Sequence, residues 1–534
     1  MKQLQTDILI VGGGLGGCAA ALAAAESGLS VVLTEESDWV GGQLTSQATP
    51  PDEHGWIEEF GCTRSYRQMR NAVREHYKKF YPLTEEARSN TVLNPGDGWV
   101  SPLCAEPKVF LKVLEAKLAE YIQKGNLQVL TEHFPVAADM ENNRVRRVTL
   151  VNLQNGEHIT ISAKHFIDAT ELGELLPLTG TEFVTGAESK AETGEPNAKE
   201  TAEPNNSQAF SACFAMSFHD GENHTIEKPE KYEFWRDFVP DLNPAWSGKL
   251  LSLGGISPRT MQPITYNFAP HREPNKAFAG LWTYRRILHR KNFVEGAFDS
   301  DITLVNYPQI DYFLKNLSGA ADYREKQRLI SEAKKLSLSF LYWMQTEAGF
   351  AGLKLRNDVV GTSDGLAKMP YIRESRRIRA EFTIIEQHVS AACRPRQIFA
   401  EKFDDSVGIG FYRIDLHPTV GGDNFIDVEA LPFQIPLGAL LPQKTENLLA
   451  ACKNIGTTHI TNGCYRLHPV EWNIGEAAGN LAAFCLRKSA KPSEIRNDRK
   501  LLREFQDVLV KNGVELEWRT DLNLVEGDTH RHAS

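Results

Sequence analysis

The chain opens on a short apolar run, Asp7–Val11, which breaks at the glycine turn Gly12–Gly17 and resumes as the alanine-rich stretch Cys18–Ser27. A second apolar run, Leu29–Thr34, follows Gly28. Short β-rich runs on either side of a good helix former predict strand, turn, helix, strand, with Gly28 as the helix-ending residue and the two strands parallel. The spacing further on predicts helices over Arg67–Lys79 and Pro107–Lys124, the latter with a proline at its start. Leu127–Leu130 reads as a strand, Arg144–Asn152 and His158–Ser162 as a hairpin, and His165–Ala169 as a short buried strand.

Glu182–Asn206 breaks this rhythm. It is rich in Glu, Ala, Thr, Asn and Gly and has no aromatic after Phe183, which predicts an exposed loop or lid, with a disordered linker as the alternative. From about Phe210 to Glu429 the chain is aromatic and shows no repeated βαβ pattern; Leu329–Ala348 is its clearest helix. After Phe433 short strands return, among them Asn447–Ala451, followed by an Ala/Gly-rich helix over Asn473–Arg487. The expected fold is α/β: a three-layer, Rossmann-like domain discontinuous in sequence (1–180 and 433–490), a large central α+β substrate domain (181–432), and a C-terminal helical extension and tail (491–534).

Composition narrows the class. A chain of 534 residues that is 41% hydrophobic and 24% charged can build a sizeable core. A net charge of −10, without a basic tract, argues against nucleic acid as a partner. The eight cysteines form no CxxC or zinc-type spacing and read as free thiols in a reducing, cytoplasmic setting. No signal-peptide pattern and no apolar run of membrane-spanning length is present, so no membrane partner is expected. A homo-oligomer stays open.

The strongest motif is Gly12-x-Gly14-x-x-Gly17, placed after a strand and opening a helix. Gly12 permits the tight turn, Gly14 admits backbone to a pyrophosphate, and Gly17 allows close helix–strand packing. Leu15 and Gly16 complete the turn, and the phosphates sit on the helix N-terminus. Glu35 ends the second strand, where an acid accepts hydrogen bonds from ribose hydroxyls; Glu36 is its neighbour.

Six residues after Glu35 come Gly41, Gly42 and Gln43. That arrangement resembles the FAD domain of the glutathione-reductase structural family, in which the second glycine pair continues the loop past the pyrophosphate. His165–Thr170 is similar to that family's second FAD-contact strand and implicates Ala169 and Thr170, although Glu171 stands where the family has glycine. Trp472–Gly479 is similar to the family's last helix, whose N-terminus faces the flavin, which implicates Asn473 and Ile474. With Gly41–Glu53 and Arg373–Ile378 (RESRRI) added, the chain resembles bacterial FAD-dependent oxidoreductases related to the fumarate-reductase and tricarballylate-dehydrogenase flavoproteins. The resemblance implies FAD and says little of the substrate.

Missing motifs sharpen the reading. There is no CxxxxC dithiol after Gly42, no second GxGxxG for NAD(P)H, and no WxWxIP of flavin halogenases. The expected activity is dehydrogenation of a small polar metabolite at a CH–OH or CH–NH centre, with hydride passing to flavin N5 and reoxidation by O2 or another acceptor. An FAD monooxygenase and an electron-transfer subunit are the alternatives. A histidine base suits the proton transfer, and the candidates are His468 before the last helix, His54 after the Gly41–Gly42 loop, and His459. Arginine forks bind anions in bidentate fashion; Arg373 and Arg376 are the candidates for an anionic or polyhydroxylated substrate, with Arg466 a third and a solvated surface helix the alternative for RESRRI. FAD is taken as non-covalently held, with His54 placed where a covalent link can form.

Overall fold

The computed structural model describes residues 2–270 and 280–524, so the expected tail beyond 524 lies outside the described residues. Its strands used below are β1 (Lys2–Gln5), β2 (Ile8–Val11), β3 (Val31–Thr34), β4 (Leu127–Leu130), β5 (His133–Glu141), β6 (Arg144–Asn152), β7 (His158–Ser162), β8 (His165–Asp168), β9 (Phe214–Phe218), β10 (Arg286–Leu288), β11 (Ile302–Val305), β12 (Leu353–Leu355) and β13 (Leu448–Ala450). Its helices are α1 (Leu15–Glu26), α2 (Arg64–Phe80), α3 (Pro107–Gln123), α4 (Tyr323–Thr346), α5 (His459–Tyr465) and α6 (His468–Lys488).

A five-stranded parallel sheet in the order β13-β8-β2-β3-β4 organises the fold. Every residue of β2 and β3 is buried; strands covered on both faces read as continuous apolar runs, not as alternation. β13 joins from more than 400 positions beyond β2, which brings the C-terminal stretch back beside the N-terminal turn. A second sheet, β1-β7-β6-β5, carries the expected hairpin, with Arg147 opposite Ser162.

Helices α1 and α6 lie side by side and parallel. A Cβ at Gly475 of α6 would lie 2.0 Å from the Gly16 carbonyl oxygen, and one at Gly479 2.3 Å from that of Ala20. α1 offers alanines and glycines on this face, so the backbones meet with nothing between them. Helix α1 begins three residues before the expected Cys18, because Gly16 and Gly17 are helical here and supply the small contact surface. Helix α6 begins five residues before the expected Asn473; Leu467 is its N-cap and Pro469 its second residue, a favoured place for proline.

The central part of the chain forms an antiparallel sheet in the order β10-β11-β9-β12. A second core of Trp235, Trp282, Tyr307, Phe340 and Met344 packs there. Helix α4 starts six residues before the expected Leu329, capped by the Asp322 side chain, which accepts the Glu325 N–H.

Two expectations are corrected. Glu182–Asn206 is not a free lid: Phe183–Val184 pairs with Arg377–Ile378, and the segment is tied down by Glu188 to Arg377, Glu195 to Thr458, Asn197 to Glu386 and Lys199 to Asp423. RESRRI is not a surface helix either. It runs extended and buried, and its charges are matched from other parts of the chain.

Candidate active site and cofactor cleft

The turn between β2 and α1 borders a cleft lined by Gly12, Gly14, Glu35, Glu36, Gly42, Ser46, Gln47, Ala169, Thr170 and Glu171, among others. Gly12 has φ +99°, and a Cβ there would lie 2.3 Å from the Ala169 carbonyl oxygen; only glycine fits. Helix α1 has no cap from its own N-cap residue and no acid in its first turn; its Gly16 N–H donates to Glu471 Oε1 at 3.3 Å, and the other first-turn N–H groups and the dipole are left to attract an anion.

Glu35 is buried at one end of the cleft. Its Oε2 accepts the Gly13 N–H at 2.8 Å, and its Oε1 accepts the Ser37 N–H and Oγ–H, both at 3.0 Å. Burial raises its carboxyl to about 7. Glu36 also lines the cleft, with Lys326 Nζ 2.7 Å from its Oε2. Thr170 Oγ donates to Asp168.

Glu171 stands between Gly14 and Gly42: its Oε1 lies 2.9 and 3.0 Å from where their Cβ atoms would be, and it has no hydrogen-bond partner. Its other oxygen meets Lys453 Nζ at 2.5 Å, and Lys453 reaches Glu471 at 3.2 Å. Gln43 Nε2 donates to Glu471 at 2.6 Å and to the Arg466 carbonyl at 3.1 Å. Glu171, Lys453, Glu471 and the Gln43 side chain therefore crowd the N-terminus of α1, a cluster the glycine motif alone does not announce.

Gly475 meets Gly16, so the start of α6 projects seven residues beyond that contact, about 10 Å at 1.5 Å per residue. Around this projecting end the loop after Gly41–Gly42 meets the RESRRI region. His468, the first residue of α6, is fully buried. Its Nδ1 accepts the Asp52 backbone N–H at 3.0 Å. That bond puts the neutral ring's proton on Nε2, and burial lowers the imidazole to about 4. His468 is thus a hydrogen-bond donor at Nε2, not the base expected from its position. Asn473 and Ile474, expected at the helix start, sit in its second turn, where Asn473 Nδ2 donates to the Val407 carbonyl at 3.1 Å. Pro469 was the sequence signal for the earlier start.

The arginines divide. Arg376 donates to the Leu172 and Ser318 carbonyls at 2.8 and 2.7 Å, which makes it a staple between loops. Arg373 is fully buried, 3.0 Å from Asp311, with its guanidinium 5.1 Å from the Tyr371 ring centroid. Arg466 donates to the Tyr371 hydroxyl at 3.2 Å and pairs with Asp415 at 3.2 Å. Arg285, which sequence reasoning missed, lies 3.7 Å from Asp52 and 4.9 Å over the Tyr284 ring. The Nε atoms of Arg285, Arg373 and Arg466 are all buried without a hydrogen-bond partner. Nothing in the local sequence around Arg285 marks it.

The histidines divide as well. His54 Nε2 donates to the Gly61 carbonyl at 3.1 Å inside a box of Trp56, Phe411 and Trp518, and burial lowers it to about 4. His459 Nδ1 lies 3.0 Å from both Glu374 oxygens, and that carboxylate raises it against the effect of burial. It lines a separate cavity of about 190 Å³. His417, also missed, has Nδ1 2.8 Å from Asp311, the carboxylate that Arg373 shares. Asp311 is held below its ordinary range by Arg373 and His417 in spite of burial, so it accepts and His417 Nδ1 donates. That leaves a lone pair on His417 Nε2.

A hydroxyl-bearing diphosphate fits the cleft: the helix N-terminus, without a cap from its own N-cap residue, suits the phosphates, Glu35 offers acceptors at the other end, and Gln47 and Glu171 hold buried polar atoms without partners along the way. Comparison with known proteins agrees. A family model described as FAD dependent oxidoreductase matches residues 7–509. An L-amino acid oxidase of Cerastes cerastes is 37% identical over 84 residues, which is 16% of this chain and 16% of that protein. Among solved structures, a quinol fumarate reductase of E. coli aligns at 11% identity over 96% of this chain and 74% of that one, with a TM-score of 0.32. An anhydrotetracycline hydroxylase of Streptomyces rimosus aligns at 8% identity over 96% and 68%, with a TM-score of 0.35. The family match spans nearly the whole chain, and the chain belongs to the FAD dependent oxidoreductase family.

Proposed function

We propose that this FAD-dependent oxidoreductase dehydrogenates a small, polar, anionic metabolite at a CH–OH or CH–NH carbon. The observation that carries the reading is the trio of unpartnered guanidinium Nε atoms on Arg285, Arg373 and Arg466, grouped around Tyr371 and the loop after Gly41–Gly42. A buried donor without an acceptor costs about 1–3 kcal/mol. A carboxylate or phosphate placed among the three removes that cost by accepting their Nε–H groups, the Nη atoms being held by protein partners.

The cofactor, when bound, supplies a hydride acceptor, so the substrate C–H bond breaks with its electron pair leaving and its O–H or N–H proton passing to a base. In our reading His417 takes that proton on Nε2 while Asp311 holds the ring through Nδ1–H and steadies the charge it gains. Arg373, on the same carboxylate, holds the substrate's acidic group beside it. His468 Nε2–H donates into the interior and orients an acceptor atom. The Arg376 staple has no part in this.

Anaerobic mixing with a panel of hydroxy and amino acids, each paired with its uncharged amide, tests the reading. The acids are expected to bleach the flavin and the amides to fail. Arg285→Gln is expected to raise the substrate KM about ten- to a hundred-fold, as for loss of a charged hydrogen bond, and Arg376→Ala to leave it unchanged. Equal bleaching by amide and acid would sink the anionic-substrate reading; bleaching by NADPH alone would favour a monooxygenase.

The adenosine end is expected to depend on Glu35. Glu35→Ala removes the charged acceptor for the ribose hydroxyls, at roughly 1.5–3 kcal/mol, or about ten- to a hundred-fold in FAD affinity. Titration of the deflavinated protein with FAD measures it. Unchanged affinity would assign the ribose contact to Glu36.

A further inference from the structure

Strand β9 runs from the neighbourhood of the active-site loop, where Cys213 Sγ lies 3.9 Å from Thr49 Oγ1, outward to Phe218. At its outer end comes the six-residue turn His219-Asp220-Gly221-Glu222-Asn223-His224. Gly221 has φ +75°, which lets the turn close. Its two ends are pinned to one stretch of backbone: the His219 N–H donates to the Gly352 carbonyl at 2.9 Å and the His224 N–H to that of Ala351 at 2.8 Å. Gln345, buried on α4, donates Nε2 to the His224 carbonyl at 2.7 Å and accepts the Ile226 N–H at 3.0 Å.

The side chains converge. The two imidazole rings are 5.3 Å apart, and His224 Nε2 lies 2.6 Å from Glu222 Oε2. One ligand atom from each of His219, Glu222 and His224 lies within 4.8 Å of the other two. Ser217 Oγ, 3.0 Å from His219 Nε2, holds that ring in place. This cluster is remote from the arginine group and has no role in the reaction proposed above.

We propose that His219, Glu222 and His224 form a binding site for a divalent transition-metal ion of borderline softness, such as zinc(II). Two imidazoles and one carboxylate on a pinned turn are the ligand set such ions prefer, with the remaining positions left to water. Binding replaces the Glu222–His224 hydrogen bond by two metal–ligand bonds, with the proton of the neutral His224 ring moving to Nδ1. The ion would clamp the turn to the sheet edge.

The test is equilibrium dialysis of the full-length, tag-free holoenzyme against zinc(II), after removal of metal by a chelator, with metal read by elemental analysis. One zinc per chain is expected above the background of the other histidines. The His219→Gln/His224→Gln double variant is expected to lose that zinc, its affinity falling by more than the roughly 10–100-fold that loss of a supporting partner costs. Zinc should also raise the thermal midpoint of the unchanged protein and not that of the variant. Glu222 is exposed, so Glu222→Gln leaves the fold undisturbed and should weaken zinc at least tenfold on the same scale. Equal zinc uptake by unchanged and variant proteins, or none by either, would overturn the proposal.

Discussion

Gly14→Val is expected to give a folded but colourless protein. A Cβ at Gly14 would meet Glu171 Oε1 at 2.9 Å and Glu471 Oε1 at 3.7 Å. Both are ends of flexible side chains and can move aside, so the chain still folds. The valine methyls then stand over the α1 N-terminus, where the FAD pyrophosphate must meet backbone N–H groups. Losing two charge-assisted hydrogen bonds at roughly 1.5–3 kcal/mol each lowers FAD affinity by about two to four decades. The neighbouring glycines should behave differently. A Cβ at Gly16 would lie 1.8 Å from the Ala451 carbonyl oxygen, and one at Gly17 1.8 Å from that of Gly12. Those contacts are backbone on both sides, so substitution there attacks the packing of α1 on the sheet. Gly14→Val should keep its circular dichroism and thermal midpoint while losing the 450-nm-region flavin band; Gly16→Val should lose both. A yellow, stoichiometrically flavinated Gly14→Val would remove this turn from the cofactor site.

His417→Ala is expected to slow anaerobic flavin reduction at saturating substrate by about a hundred- to ten-thousand-fold, the usual cost of losing a general base. FAD should remain bound, because His417 lies with Asp311 and Arg373 and not in the cofactor cleft. The pH profile makes the assignment specific. Burial lowers the His417 imidazole, Arg373 adds to that, and Asp311 opposes it. The base is active when neutral, so the rate should be flat through neutral pH and fall only below the ordinary histidine range. His468→Ala should cost less and leave that profile in place, since its Nδ1 is occupied by the Asp52 N–H and its Nε2 carries the proton. A full rate in His417→Ala, with a large loss in His54→Ala, would move the base to His54 Nδ1.

The three histidines favoured from sequence illustrate why position along a chain is a poor guide to chemistry. The family resemblance puts His468 just before the last helix, and it is the first residue of α6. Its role turns on which ring nitrogen is free, and that was decided by the Asp52 amide, more than 400 residues away in sequence. His54 was favoured for following a glycine loop, yet it is enclosed by Trp56, Phe411 and Trp518, the last from the C-terminal segment. The four charged residues of RESRRI take three different roles. Arg373 and Glu374 support side chains from other segments, Arg376 staples two loops, and Arg377 pairs with Glu374 and Glu188.

The sequence by itself determined the β2–turn–α1 unit, the place of Glu35 at the end of β3, the Gly41–Gly42 turn and the return of the C-terminal strand and helix. The first two rest on local physics, an apolar run covered on both faces and a helix start without a cap from its own N-cap residue; the Gly41–Gly42 turn and the C-terminal return are what the family resemblance implies. What only the tertiary structure decided is which distant polar groups meet. Arg285, His417 and Asp311 carry no local mark, because a guanidinium or an imidazole has no chemistry of its own until a fold supplies its carboxylates, carbonyls and burial. Arg285 stands beside Asp52 because β10 begins at the next residue and the Asp52 loop is carried to it. The same logic closed Glu182–Asn206 down: its composition suits an exposed loop, and strand pairing with Arg377–Ile378 together with ion pairs and hydrogen bonds to Arg377, Thr458, Glu386 and Asp423 holds it in place.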